Sequence, residues 1–234
     1  MSSDLIKQVL SQSPCYPVGG WRTSASAIPP QSIGEFHIVK KKIPAGSILK
    51  CKAFSYDTCV FVEDTTITVL REGERDKNDT ESVWMSDTPQ EYFKCCELVA
   101  RAEGPNVLVG GLGLGLMTHL LSIRRDVKKI VAVENAKPVI QMVKPYLLGN
   151  VQVKHGDFIK AIRQFSEKGK EFDTIIADIW KSNGEKDKEI MEECKMVMED
   201  HYMNATHLFW GFQVEVDNEY SLFALLSRKN KKKT

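Results

Sequence analysis

From Val107 onward the chain repeats one unit. Val107-Leu108-Val109, Ile130-Val131-Ala132-Val133, Val151-Gln152-Val153, Thr174-Ile175-Ile176-Ala177 and His207-Leu208-Phe209-Trp210 are short apolar runs. Helical stretches separate them at Leu114–Ile123, Pro138–Leu147, Phe158–Phe165 and Lys186–Asp200. A strand that is apolar at every position is buried on both faces, and crossover helices that return the chain to a parallel neighbour supply both covers. The alternation therefore predicts an α/β fold, a doubly wound parallel sheet. It also locates any ligand, because such sheets bind beyond the carboxyl ends of their strands, near the point where strand order reverses.

The first third of the chain reads differently. Ser, Pro and Gly crowd residues 1 to about 35, which predicts irregular structure after one short helix at Asp4–Leu10. Phe36–Val39, Ser47–Lys50, Cys59–Val62 and Thr66–Val69 are short, β-branched and separated by turn formers, as expected of a modest antiparallel sheet. Arg71 to Glu81 is charged and reads as a solvated connection. Thr88-Pro89-Gln90-Glu91 has the form of a capping box with proline at the first helical position, so a helix should run from there to about Ala102. The expected division is a β-rich segment over residues 1–80 and an α/β domain over residues 86–234. The latter ends in a helix at Glu219–Ser227 and a basic tail of Arg228, Lys229, Lys231, Lys232 and Lys233.

Composition narrows the function classes. Thirty-two basic and 31 acidic residues leave a net charge of +1, so whole-chain charge gives no signal for nucleic acid or an anionic membrane. No apolar run reaches the roughly 18 residues that a membrane span needs. Met1-Ser2-Ser3-Asp4 lacks the basic-then-apolar order of a signal peptide, and a cytoplasmic location is expected. Cys15, Cys51, Cys59, Cys95, Cys96 and Cys194 contain no C-x-x-C pair, which predicts reduced, structural thiols and no metal site.

The strand ends carry the chemistry. After the first apolar run comes Gly110-Gly111-Leu112-Gly113-Leu114-Gly115, a turn whose glycines permit positive φ and close approach of a ligand to the backbone. A dinucleotide fingerprint needs glycine where Leu116 stands, or glycine or alanine where Thr118 stands, and no Gly-Lys-Ser/Thr of a phosphate loop follows. Glu134 closes the second strand 19 residues after Gly115 (134 − 115), near the roughly 20-residue offset of an acid that accepts both ribose hydroxyls. Gly156-Asp157-Phe158 follows the third strand and Asp178 closes the fourth. Ordinary helix capping is the competing account of Glu134, Asp157 and Asp178. His119, His155 and His207 are scattered, and Phe158 and Trp180 fit a pocket wall or core equally well.

Gly111, Gly113 and Gly115 form G-x-G-x-G, which resembles the first motif of the class I S-adenosylmethionine-dependent methyltransferases, with their Rossmann-like sheet. The layout from Asp87 and Glu91 through Val133-Glu134, Gly156-Asp157 and Phe172–Asp178 is similar to that of the spermidine synthase family of aminopropyltransferases, over residues 36 to 180. The resemblance implies S-adenosylmethionine as cofactor, held by Gly111, Gly113, Gly115, Glu134, Asn135, Asp157 and Phe158, the last two at the adenine. It implies Asp178 as the catalytic residue, which orients or deprotonates a small-molecule acceptor. That family has an acid where Leu114 stands and another where Lys181 stands. Carboxylates suit a polycation and a lysine opposes it, so methyl transfer is expected before aminopropyl transfer. Asp178-Ile179-Trp180-Lys181, in place of Asn/Asp-Pro-Pro-Tyr, argues against amide or nucleobase amino nitrogens as acceptors. Two alternatives stand: an aminopropyltransferase using decarboxylated S-adenosylmethionine, with extra carboxylates from Asp87 or Glu91, and a non-catalytic protein that keeps the fold. A homodimer is left open.

Overall fold

The computed structural model describes residues 16–53, 56–73, 82–180 and 185–211. The helices expected at Asp4–Leu10 and Glu219–Ser227, the basic tail and Lys181 lie outside the described residues.

The first part is built from seven strands: β1 (Tyr16–Val18), β2 (Gln31–Ile33), β3 (Phe36–Ile43), β4 (Ile48–Ala53), β5 (Tyr56–Phe61), β6 (Thr65–Glu72) and β7 (Val83–Ser86). They form two sheets where the sequence predicts one. One is antiparallel in the order β2-β3-β6-β7, and the other is β1-β5-β4, with β1 parallel to β5. The long pair β3–β6 runs in register from Phe36 opposite Glu72 to Ile43 opposite Thr65. Residues 16–35 are more ordered than their composition implies. β1 and β2 are three-residue strands at sheet edges, where Pro17 is tolerated, and a capped 3-10 turn at Ser24–Ala27 lies between them. Arg71 is not on a solvated connection: it is buried in β6, and its guanidinium donates to Ser82 Oγ at 2.6 and 3.1 Å. Cys59 departs from the expected reduced state and is disulfide-bonded, whereas Cys95, Cys96 and Cys194 are free.

The second part alternates as the apolar runs require: α1 (Pro89–Arg101), β8 (Asn106–Gly110), α2 (Leu116–Ser122), β9 (Lys129–Glu134), α3 (Lys137–Val143), β10 (Val151–His155), α4 (Phe158–Glu167), β11 (Thr174–Ala177), α5 (Glu185–His201) and β12 (Thr206–Phe209). The sheet is parallel throughout, in the order β10-β9-β8-β11-β12. It is an α/β, Rossmann-like, doubly wound sheet, and its order reverses between β8 and β11. Alternate residues of each central strand enter different cores. Val107, Val109, Ile130, Ala132 and Ile176 pack with α1, α2 and α3, whereas Leu108, Val131, Val133 and Ile175 pack with α4 and α5.

The two parts are tied at Asp87. Its side chain is fully buried and accepts from Thr23 Oγ1 at 2.8 Å and from the Thr68 N–H at 2.5 Å. Its own N–H donates to the Thr68 carbonyl at 3.0 Å, and its carbonyl accepts from the Trp21 indole at 2.8 Å. Trp21 also meets the edges of Tyr92 and Phe93 on α1. The N-terminal segment, β6 and the start of α1 are therefore fixed around one carboxyl group. Removing it leaves the Thr68 N–H buried without an acceptor. Asp87→Ala should lower unfolding free energy by about 2–4 kcal/mol, read from chemical denaturation, and Thr23→Ala by about 1 kcal/mol.

Candidate functional site

The carboxyl ends of β8, β9, β10 and β11 converge on a cavity of about 300 Å³. Gly111 and Gly113 line it, with Glu134, Asn135, Asp157, Phe158, Asp178 and Trp180. Gly111 has φ +83°, and a Cβ there would lie 2.1 Å from the Asp178 carbonyl oxygen. Only glycine lets the turn pass so close to the end of β11. Gly113 has φ +50°, and a Cβ there would lie 2.3 Å from Met85 Sδ. Gly115, which the sequence grouped with these two, lies outside the cavity lining. It caps α2 in a left-handed conformation, φ +76°, and faces Leu147 and Val143, so backbone conformation and packing both call for glycine there.

Glu134 is buried, and each of its oxygens is engaged. Oε2 accepts from the Leu112 N–H at 2.9 Å and Oε1 from the Ala136 N–H at 2.8 Å. This carboxylate therefore holds the glycine turn in place, and each oxygen keeps a further lone pair for a ligand hydroxyl. Asp157 is the N-cap of α4, with Oδ1 accepting from the Lys160 N–H at 2.8 Å. Capping and cavity lining are both true of it. Phe158 does two things as well: its ring lies 2.5 Å from where a Cβ on Gly110 would be, and it forms part of the wall. Asn135 is exposed at the rim, and its carbonyl accepts from His155 Nε2 at 3.1 Å. His207 bonds the Tyr202 carbonyl at 3.0 Å, and no histidine lines the cavity.

Asp178 meets Glu91 here. The Asp178 N–H donates to the Gly110 carbonyl at 3.0 Å, which fixes its backbone against β8. Burial, then the neighbouring charges of Glu91 and Glu134, push its carboxyl well above the usual range, with Lys94 opposing. Glu91 stands in the first turn of α1 and lines the same cavity. Its carboxyl is pushed up to about 7, chiefly by burial. The expected capping box does not form: Thr88 makes no side-chain cap, and its hydroxyl pairs with Ser86 Oγ at 3.1 Å. Of the two uses the sequence offers for Glu91, capping acid and pocket carboxylate, the structure places its side chain in the cavity.

The remaining walls are aromatic and aliphatic. Trp180 stacks on Phe209 and donates its indole N–H to the Trp210 carbonyl at 2.9 Å, while Lys94 Nζ lies 4.8 Å from the Trp210 ring centre. Phe36, Leu70, Trp84 and Met85 reach in from the N-terminal part. Among the described lining residues are five carboxyl groups, Glu91, Glu134, Asp157, Asp178 and Glu193, and no Lys or Arg. Among the described residues, no group of three or more His, Cys, Asp or Glu is arranged to hold a metal ion, and no helix is long and apolar enough to cross a membrane.

Neither a protein-family profile nor a curated protein matches this sequence. Solved structures do match. A spermidine synthase in complex with the transition-state analogue AdoDATO aligns over 58% of this chain and 50% of its own, with 15% identity and a TM-score of 0.41. Precorrin 8w decarboxylase of Methanobacterium thermoautotrophicum aligns over 55% of this chain and 66% of its own, with 17% identity and a TM-score of 0.39. A dimethyladenosine transferase from Plasmodium falciparum aligns over 52% and 42%, with 20% identity and a TM-score of 0.38. The chain thus spans less than two thirds of each of these proteins, and their names describe them alone.

The Glu91 carboxyl gives a pH signature. Its value is raised from 4.5 to about 7, so between those limits the folded protein keeps a proton that the unfolded chain has lost. Stability falls as pH rises through this window and levels off above it. Asp178 acts in the same direction. Denaturation midpoints measured at about pH 5 and pH 8 should differ in the wild type, and the difference should shrink in Glu91→Gln.

Proposed function

We propose that this chain is an S-adenosylmethionine-dependent transferase that moves the methyl group to a small-molecule acceptor. The observation that carries the reading is the convergence on one cavity of Gly111, Gly113, Glu134, Asp157 and Asp178, which come from four successive strand ends. An open glycine backbone beside a ribose-type carboxylate, at the reversal of a parallel sheet, is the arrangement that takes a nucleoside. Asp157 and Phe158 would meet the adenine, and Asn135 the rim of the nucleoside.

The sulfonium supplies the reactive methyl when bound. The protein aligns the acceptor with it and excludes water. Burial and its acidic neighbours raise the proton affinity of the Asp178 carboxyl, which suits it to orient an acceptor hydroxyl or amine and to take its proton.

A second reading, aminopropyl transfer from the decarboxylated sulfonium, is favoured by one observation. The five carboxyl groups that line the cavity, with no Lys or Arg among the described lining residues, suit a polycationic ligand. Glu91 is the additional carboxyl that this reading requires. Asp87 is not available, because it is enclosed by Thr23, Thr68 and Trp21.

Calorimetry should detect S-adenosylmethionine binding to the wild type. Glu134→Ala should weaken it by about 1–3 kcal/mol, the scale for hydrogen bonds to a charged group. Wild-type affinity in that variant would remove the ribose assignment. Incubation with each sulfonium and putrescine separates the two reactions, and product from the decarboxylated form alone would overturn methyl transfer.

A further inference from the structure

Met85 sits where a ligand of this cavity would touch the glycine turn. It belongs to β7 of the N-terminal part, is buried, and reaches across to the sheet of the second part. Its sulfur fills the space left open by the missing side chain of Gly113, at 2.3 Å from where a Cβ would stand. The Leu114 N–H donates to the same sulfur at 3.1 Å. A thioether is a weak acceptor for a buried backbone N–H, and a carboxylate or hydroxyl oxygen is a better one. The methionine chain is unbranched, with three rotatable bonds, so it can leave its seat without a backbone movement. Its neighbours Leu70 and Gly113 are apolar cavity-lining residues, so the seat is shaped for either a side chain or a ligand chain.

We propose that Met85 is a specificity-determining residue of this site: its thioether occupies the open face of Gly113 and the Leu114 N–H, and the amino-acid tail of a sulfonium nucleoside must displace it. This rests on the transferase reading above. It adds that affinity for the tail is set by competition with a side chain of the protein, whereas affinity for the nucleoside half, at Glu134 and Asp157, is independent of Met85. The Leu114 donor belongs to the glycine turn and precedes the first residue of α2, so the competition is for a turn amide.

The test compares S-adenosylmethionine with 5′-methylthioadenosine, which has the same nucleoside and no amino-acid tail. Met85→Ala should bind S-adenosylmethionine about 2- to 12-fold more tightly, the equivalent of one neutral hydrogen bond no longer displaced. Its affinity for methylthioadenosine should be unchanged. Because loss of a buried methionine can impair folding, the wild type labelled with 13C at the methionine methyls gives a second readout. The Met85 methyl resonance, assigned with Met85→Leu, should move on addition of S-adenosylmethionine and stay in place with methylthioadenosine. An unchanged ratio of the two affinities in Met85→Ala, or a Met85 methyl that responds to both ligands alike or to neither while both bind, would overturn the proposal and leave the transferase reading intact. Failure of the wild type to bind either nucleoside would overturn both.

Discussion

The site depends on a backbone approach that no side chain could survive. The turn after β8 passes so near the end of β11 that the Asp178 carbonyl occupies the space of a Gly111 side chain, and the Phe158 ring does the same at Gly110. Both contacts are made at the reversal of strand order, where β8 and β11 are neighbours although two strand-helix units separate them in the chain. Parallel pairing brings the two strand ends level, Ala177 opposite Gly110, so whatever follows β11 must lie against the glycine turn. The register of the sheet thus sets the distance between the turn and the Asp178 carboxyl, and the glycines make that distance attainable.

Glu134 then stabilises what the approach creates. A turn in which Gly111, Gly113 and Gly115, every second residue, have positive φ turns its N–H groups away from regular partners, and Leu112 finds its acceptor in the Glu134 carboxylate. A side chain at the end of β9 thereby fixes the conformation of a loop that follows β8. Two consequences are joined in one residue: the same group that would take a ribose also keeps the turn in shape. The effect of removing it on binding and its effect on the turn share one cause.

The parallel sheet was legible because an all-apolar strand between amphipathic helices has few alternatives in a folded chain, and Val107–Val109 or Ile130–Val133 fits little else. Glu134, Asp157 and Asp178 stand out in the sequence because they follow strands, and the structure brings all three to one cavity. The first part of the chain was harder. Tyr16-Pro17-Val18 is too short to carry a period, and its pairing with β5 is decided by a contact across some forty residues. The disulfide state of Cys59 likewise depends on which residues folding brings together, which spacing along the chain does not report. Gly115 was grouped with Gly111 and Gly113 because glycine answers packing and ligand approach with the same letter. Glu91 fits both a capping box and a pocket carboxylate in the sequence, and the capping box fails because the Thr88 hydroxyl pairs with Ser86.

The N-terminal part does more than cover the cavity. Asp87 anchors the start of α1 to β6 and to the Trp21 segment, and Glu91 stands one helical turn further along the same helix. The position of Glu91 relative to Asp178 is therefore set from outside the parallel sheet, by hydrogen bonds that involve no ligand. Glu91 is in turn the first of the charges that raise the Asp178 carboxyl, after burial. A displacement of α1 by the length of one contact would change the field at Asp178 without touching any strand end. The proton affinity of the candidate catalytic group thus depends on both parts of the chain, and Met85, two residues before Asp87 on the same strand exit, puts the shape of the glycine turn under the same control.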